Sequence, residues 1–169
     1  MNRKEPVTSR VAAHPSNMIR AIPSFVFSVP RGWVLDEVPD ALAIVRLPEE
    51  VDDFWVNAIL SHQRVARSVD FEQASRVTFA KLLKNSPEAK VTMERLARFG
   101  SNVVYLRGIE MLAPTSGRQL GQLNALFFAP VDGEGKTVDM FQFTATAPAE
   151  LMSEYSDAIV EMISSFRFV

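Results

Sequence analysis

The first clear pattern along the chain is an alternation of side chains that ends at a turn. Residues Phe25 to Val29 alternate in the way expected of a strand with one buried face. Pro30 cannot donate to a strand ladder and Gly32 tolerates the backbone of a tight turn, so the strand is expected to end there. Trp33 then returns a large ring to the sheet. The segment predicts a fold and carries no chemistry of its own.

Two nearly continuous apolar runs follow, at 41–47 and 54–60. Each is bounded by proline or acidic residues, which is typical of strand ends. Continuous runs favour strands that are covered on both faces, whereas a half-exposed strand alternates. We therefore expect a sheet with a further layer on each side.

A first helix is predicted from a capping pattern at Asp70. Its carboxylate can accept hydrogen bonds from free backbone amides, and Gln73 stands at the position that a capping box requires. Pro87 disfavours helical geometry at the residue before it, so the helix is expected to end by 85–87. The stripe that would face the sheet is Phe71, Ala74, Thr78 and Leu82.

Four more strands are predicted in the second half of the chain, at 91–99, 102–112, 120–128 and 138–145. The links between them are short: Gly100-Ser101, the segment 114–117, and the turn signal at 132–135. Short links join antiparallel neighbours, so these strands predict a meander.

A closing helix is the clearest single element. Pro148 is suited to the first turn of a helix, and Glu150 close behind it complements the positive helix N-terminus. Apolar side chains then recur at spacings of three and four, at Leu151, Tyr155, Ala158, Ile159, Met162 and Phe166. This stripe predicts a helix packed on the body of the protein.

The composition fits one globular domain that needs no disulfide or metal cross-links. The chain has 169 residues, 47% of them hydrophobic, and no cysteine, which excludes disulfides, thiolate metal sites and a cysteine nucleophile. A formal net charge of −2 gives no broad field toward nucleic acid or an anionic membrane. We expect no nucleic-acid partner and no membrane span.

The first twenty residues differ from the rest. They carry several charges, and no apolar run of signal-peptide length follows them. We interpret 1–20 as a polar, flexible lead-in and 21–169 as a single domain, with Met1 and Met18 as alternative starts of the functional chain. The expected location is the cytoplasm, and an envelope location stays open because processing before the first residue would leave no trace here.

These segments resemble one known family. Two segments are similar to Mog1/PsbP-like proteins, and most of all to the actinobacterial LpqN/LpqT-type branch. They are the strand at Phe25–Val29 with its turn to Trp33, and the closing helix with its end Ser164-Ser165-Phe166-Arg167-Phe168. The resemblance implies an α+β fold, an antiparallel sheet flanked by helices on both faces as an α/β/α sandwich. It also implies a binding or accessory role, with no catalytic residue and no cofactor to transfer.

Conventional catalytic and metal motifs give little. His62, near the end of a predicted strand, could be a general base or a pH switch, or simply a hydrogen-bonded side chain. The acidic cluster Glu49, Glu50, Asp52 and Asp53 could hold a hard cation, although a solvated loop explains it as well. The turn at 132–135 lacks the further ligands of a calcium loop. No catalytic or metal residue is therefore predicted.

One polar group has the pattern of a ligand site. Period-two alternation places Gln122 and Asn124 on one face of their strand, and Gln142 and Thr144 on one face of the next. Arg107 from the preceding strand could join them. Amides among apolar side chains are typical of a small polar-ligand pocket, and the alternative is that they satisfy backbone groups or face water.

Three apolar side chains suggest a second kind of site, a surface that binds a protein. Trp55, Phe79 and Leu83 could be exposed and bind a protein partner or a second copy, or they could be buried in the core. We therefore expect a non-catalytic binding or accessory module whose sheet or helix surface meets a protein or makes a homo-oligomer. The alternative is a small-ligand binder or enzyme using the polar group.

Overall fold

The computed structural model describes residues 12–16, 20–131 and 133–169. Most of the predicted lead-in, with the alternative start at Met18, lies outside these residues, as does Asp132 of the predicted 132–135 turn. The strands are β1 Phe25–Val26, β2 Val34–Asp36, β3 Ala43–Arg46, β4 Asn57–Ala66, β5 Lys90–Phe99, β6 Asn102–Leu112, β7 Gln119–Phe128, β8 Thr137–Pro148 and β9 Arg167–Phe168. The helices are α1 Phe71–Leu83 and α2 Met152–Ser165, with one 3-10 turn, Ala149–Leu151, before α2.

Seven strands form one antiparallel sheet in the order β2-β3-β4-β8-β7-β6-β5. The predicted meander is confirmed, since β5 to β8 are consecutive neighbours. From β4 the chain crosses three strands by way of α1 and re-enters the sheet at the far edge as β5. The short strands β1 and β9 pair with each other in a separate two-stranded sheet.

The first predicted strand is shorter than expected. Trp33 donates its backbone amide to the Pro30 carbonyl at 3.0 Å, and Gly32 has a φ of +83°, so the predicted turn is present. The strand itself pairs only over Phe25–Val26. Beyond it the backbone amide of Ser28 donates to the hydroxyl of Ser165 at 2.8 Å, so a contact with the end of α2 replaces the backbone hydrogen bonds of a strand.

The strand predicted at 54–60 begins later and runs further, over Asn57–Ala66. Val51 and Phe54 exchange backbone hydrogen bonds of 2.9 and 3.1 Å, with Asp52 and Asp53 between them at φ of 50° and 60°. Two consecutive positive φ values are the geometry of a tight hairpin turn, which aspartate tolerates better than most residues. Residues 51–54 are therefore a turn, and β4 starts after it.

Helix α1 begins as its capping pattern predicts. The Asp70 carboxylate accepts a hydrogen bond from the backbone amide of Gln73 at 2.8 Å. With 13 and 14 residues, neither α1 nor α2 is long enough to cross the hydrocarbon core of a bilayer, and no other helix of the described residues is.

The main core lies between α2 and the sheet. Ile159, Met162 and Ile163 of α2 are almost fully buried against side chains of β6, β7 and β8, among them Phe127 and Phe141. The predicted stripe is thus the packed face of α2. Trp33 also joins this cluster, with its ring edge-on to Tyr155 at 6.2 Å between centroids.

A smaller cluster lies between α1 and alternate residues of the same strands. Ala74 packs with Leu126 and Met140, and Phe71 lies 4.8 Å from the ring of Phe128 between centroids. We refer to the side of the sheet that carries Leu126 and Met140 as the α1 face. The strands β3 and β4 are covered unevenly, because Ile44 and Ile59 on this side are half-buried and belong to neither cluster.

Phe166 is the centre of the main core, and its truncation should be costly. Replacing it with alanine should lower the free energy of unfolding by about 3–5 kcal/mol, because the ring is fully buried among other rings. Phe166→Leu, which keeps most of the apolar volume, is the control and should cost less. Urea unfolding measures both values, and an equal loss in the two variants would show that ring packing does not matter here.

Candidate functional site

The predicted polar residues of β7 and β8 do lie side by side on the α1 face. In the register, Asn124 is opposite Thr144, and Gln122 is opposite Thr146. The Gln142 amide donates to Asn124 Oδ1 at 3.3 Å and to Thr144 Oγ1 at 2.9 Å. A parallel bond of 3.2 Å joins Gln122 Nε2 to Thr146 Oγ1. These bonds hold the side chains in a ladder that runs across two strands.

A cleft of about 290 Å³ separates this ladder from the second half of α1. The helix side is formed by residues of α1 at helical spacing, including Thr78 and Lys81, and by Asn85 just after the helix. The complete lining is Thr78, Phe79, Lys81, Leu82, Asn85, Ile109, Gln122, Asn124, Gln142 and Thr144. Lys81 is the only ionisable side chain among these residues, and the other polar groups of the lining are neutral amides and hydroxyls.

Arg107, expected to join the polar group, is directed elsewhere. Its side chain is 8% exposed and donates to Glu94 at 2.8 Å and to the Ser75 carbonyl at 2.5 Å. The guanidinium also lies over the ring of Phe79, 5.2 Å from its centroid. Arg107 therefore fastens α1 to the sheet beside the cleft and is not among the residues that line it.

Glu94 remains an ion-pair partner for Arg107 to low pH. The hydrogen bond from Tyr105, assisted by Arg107, lowers the pKa of Glu94 although its partial burial acts in the opposite direction. The ionised carboxylate balances the buried guanidinium, which would be costly if left alone.

Beyond the cleft, the α1 face continues across the sheet without a helix over it among the described residues. One register row passes from Asn124 to Thr144, then to Ile59 of β4 and Ile44 of β3. The row carries two amide or hydroxyl groups followed by two half-buried isoleucines. We refer to the cleft together with Ile59 and Ile44 as the open strip.

The three residues predicted as an interaction surface are not brought together at one place. Phe79 is half-buried, lines the cleft and contacts Arg107. Leu83 is half-buried at the last position of α1. Trp55 is 39% exposed and lies two residues before β4, where the guanidinium of Arg46 stands 4.5 Å from its ring. Only Phe79 belongs to the open strip.

His62 has a partner that the sequence did not indicate. Its Nε2 lies 2.8 Å from Asp139 Oδ1, and Arg64 Nε donates to the same oxygen at 2.9 Å. Arg20 adds an ion pair at 3.7 Å, and the Asp139 side chain is 4% exposed. A lone acidic residue inside the apolar strand 137–148 is the signal that could have predicted such a pair.

This charged group is separate from the cleft. His62 and Asp139 belong to β4 and β8, but they alternate with residues of the α1 face and so point to the other side of the sheet. Arg64 also donates to the carbonyls of Arg20 and Ala21 at 3.3 and 3.4 Å. The group therefore holds the chain where it enters the fold.

Two residues of the acidic cluster at 49–53, Asp52 and Asp53, have a structural role. Asp52 and Asp53 form the hairpin turn before β4, and Arg118 donates to the Asp52 carbonyl and lies 3.6 Å from its carboxylate. Arg118 further binds Glu150 at 2.7 Å. The arginine thus joins the turn at 51–54 to the start of the C-terminal helical segment.

Comparison with known proteins identifies the fold. No protein-family model and no curated protein matches the sequence. Among solved structures, LpqN of Mycobacterium tuberculosis, which is involved in cell envelope biogenesis, has a TM-score of 0.69 at 17% identity, over 92% of this chain and 87% of LpqN.

Two further structures agree. The cyanobacterial PsbP of Synechocystis has a TM-score of 0.58 at 14% identity, over 86% of each chain. The Ran-binding protein Mog1p of Saccharomyces cerevisiae has a TM-score of 0.53 at 17% identity, over 86% of this chain and 90% of Mog1p. The chain therefore has the Mog1/PsbP-like fold that the resemblance implied, built on an antiparallel sheet with two helices.

The contacts of Asp139 predict how the stability of the folded protein depends on pH. Hydrogen bonds from His62 and Arg64 lower the pKa of Asp139 and outweigh the opposing effect of its burial, which is the largest single influence. A lowered pKa in the folded state stabilises the protein above the unfolded pKa of about 3.9, and this stability is lost as pH falls through the folded value.

Asp139→Asn should therefore destabilise the protein by about 2 kcal/mol at neutral pH, since hydrogen bonds to a charged group are lost. The difference in the free energy of unfolding between the variant and the parent should become smaller below about pH 4. Urea unfolding at several pH values measures it, with the exposed Asp157→Asn as control. A difference that stays constant with pH would mean that the charge of Asp139 contributes nothing.

Proposed function

We propose that the protein is a non-catalytic binding or accessory module, and that the open strip is its binding surface for a partner protein. The observation that carries the proposal is the cleft between α1 and the ladder of neutral amides. Its polar side chains come from α1, β7 and β8, and Arg107 fixes the helix over them.

The fold supports a binding role. We infer an α/β/α sandwich, in which Ala74 of α1 packs with Leu126 while Ile159 of α2 belongs to the cluster of Phe127. Neighbouring residues of a strand point to opposite faces, so each helix covers one side. Mog1p, with the same fold, is a Ran-binding protein, and LpqN takes part in envelope biogenesis.

The chemistry of the open strip selects the kind of partner. Amides and hydroxyls both donate and accept, and so they match the N–H and C=O groups of a peptide backbone without needing a charge on it. Ile59 and Ile44, next along the same register row, offer apolar contacts to the side chains of that segment. A polar segment with apolar residues at one end is the partner that fits.

A small polar ligand is the second candidate. The cleft volume of about 290 Å³ is at the lower limit of the usual range for small-molecule pockets, so it could hold a compact hydroxylated or amide-bearing molecule. The His62–Asp139 pair lies on the other side of the sheet, and an enzyme built on this cleft would have to do without it. A cytoplasmic location and a single domain over 21–169 belong to the same proposal.

Replacing Gln142 tests the proposed binding surface, because its side chain donates two of the hydrogen bonds of the ladder. Gln142→Leu keeps the size of the side chain and removes both of its donated hydrogen bonds, so binding at the open strip should weaken by at least about tenfold. The measurement is affinity capture from extracts of the source cells, followed by titration of the recovered partner with purified protein. Gln73→Leu, an exposed position at the first turn of α1, is the matched control.

The expected result is a partner recovered by the parent and by the Gln73 variant and lost with Gln142→Leu, while circular dichroism shows all three folded. Recovery of the same partner by all three proteins would contradict the proposal. If only a low-molecular-mass compound is recovered, by mass spectrometry of the denatured complex, the small-ligand candidate replaces the partner protein.

A further inference from the structure

The sheet has one long edge that no other described segment covers. Strand β5 runs for ten residues and pairs on one side with β6, whereas the opposite edge, β2, has three residues. Within the described residues, the outward backbone groups of β5 make no hydrogen bond. An edge of this length is a template for pairing with another strand.

The side chains of β5 add an apolar contact point to this edge. Leu96 is 63% exposed, more than any other large apolar side chain in the helices and strands of the described residues. It lies on the α1 face because it is opposite Tyr105 in the register with β6. On the other side of the sheet, Met93, Ala97 and Phe99 pack against the main core.

We propose that β5 pairs antiparallel with β5 of a second copy, so that two sheets join into one across a twofold axis. In such a pair the residue numbers of any two directly opposite residues add up to the same sum. The two opposite side chains point to the same face. Centring the pair on Glu94, Arg95 or Arg98 would place like charges directly opposite each other, which is unfavourable.

Centring it on Leu96 places no like charges directly opposite each other. Leu96 then meets its own copy, and Glu94 is opposite Arg98 of the second copy, twice by symmetry. Arg98 makes no ion pair with the described residues of its own chain, and the Glu94 side chain is 45% exposed. On the other face Met93 is opposite Phe99, and Arg95 is opposite Ala97, so this face adds an apolar contact on each side of the axis.

This surface differs from the open strip. It uses the backbone and side chains of the far edge strand, while the strip runs from α1 toward β3. Dimer formation and partner binding can therefore succeed or fail separately, and the Gln142→Leu variant should dimerise like the parent.

Cross-linking tests the register directly. The chain has no cysteine, so Leu96→Cys introduces the only thiol. Residues at the centre of an antiparallel pair have Cα atoms about 4.5–5.5 Å apart, within reach of a disulfide. Mild oxidation should give a disulfide dimer, whereas Val77→Cys, which is 55% exposed on α1, should cross-link much more slowly. Equal rates for the two variants would overturn the proposal.

Light scattering with a dilution series tests the association without a cysteine. The parent mass should rise from 18.9 kDa toward twice that value with concentration. Arg98→Glu places two carboxylates opposite each other and should weaken association by at least about tenfold, while Arg98→Lys keeps the charge and should stay close to the parent. A parent that remains monomeric at every concentration, or an Arg98→Glu variant that associates as the parent does, would also overturn it.

Discussion

The packing of Phe166 against the sheet is the contact on which the rest of the fold depends. Its ring centroid lies 4.7 to 5.8 Å from those of Phe25, Phe127, Phe141, Phe143 and Phe168. These rings come from the first strand, the central strands and the last strand, so one residue at the end of α2 joins both ends of the described fold to its middle. Aromatic rings in tilted and edge-on pairs give such a cluster a defined geometry as well as a large buried area.

Two buried charges complete the fold on either side of the sheet. Arg107 is balanced by Glu94 and fastens α1, and Asp139 is balanced by His62, Arg64 and Arg20 and fastens the entering chain. A buried charge without partners would cost several kcal/mol, so each site needs its full set of contacts. These networks give Arg107, His62 and Asp139 ion-pair partners within the fold.

The Mog1/PsbP-like fold leaves the function to surface residues. Solved structures with this fold include a Ran-binding protein and a protein of envelope biogenesis, each 17% identical to this chain, so the fold by itself does not specify a role. In this chain the two surfaces of interest are the polar cleft beside α1 and the long β5 edge with Leu96. Leu96 and the ladder residues lie outside the main core, whereas Met93, Ala97 and Phe99 of β5 pack against it.

The sequence by itself determined the elements that depend on local patterns. Asp70 with Gln73 marked the start of α1, the short links gave the meander, and the stripe around Ile159 gave the packed face of α2, because capping, turn geometry and periodicity involve residues close along the chain. It also placed Gln122 and Asn124 on one face, and Gln142 and Thr144 on one face of the next strand. Only the tertiary structure decided that α1 lies over this ladder and forms the cleft, that Arg107 turns away to Ser75, and that His62 meets Asp139, 77 positions away. Those contacts join residues far apart in sequence, and they depend on the pairing of β4 with β8 and on the crossover through α1, which no local pattern encodes.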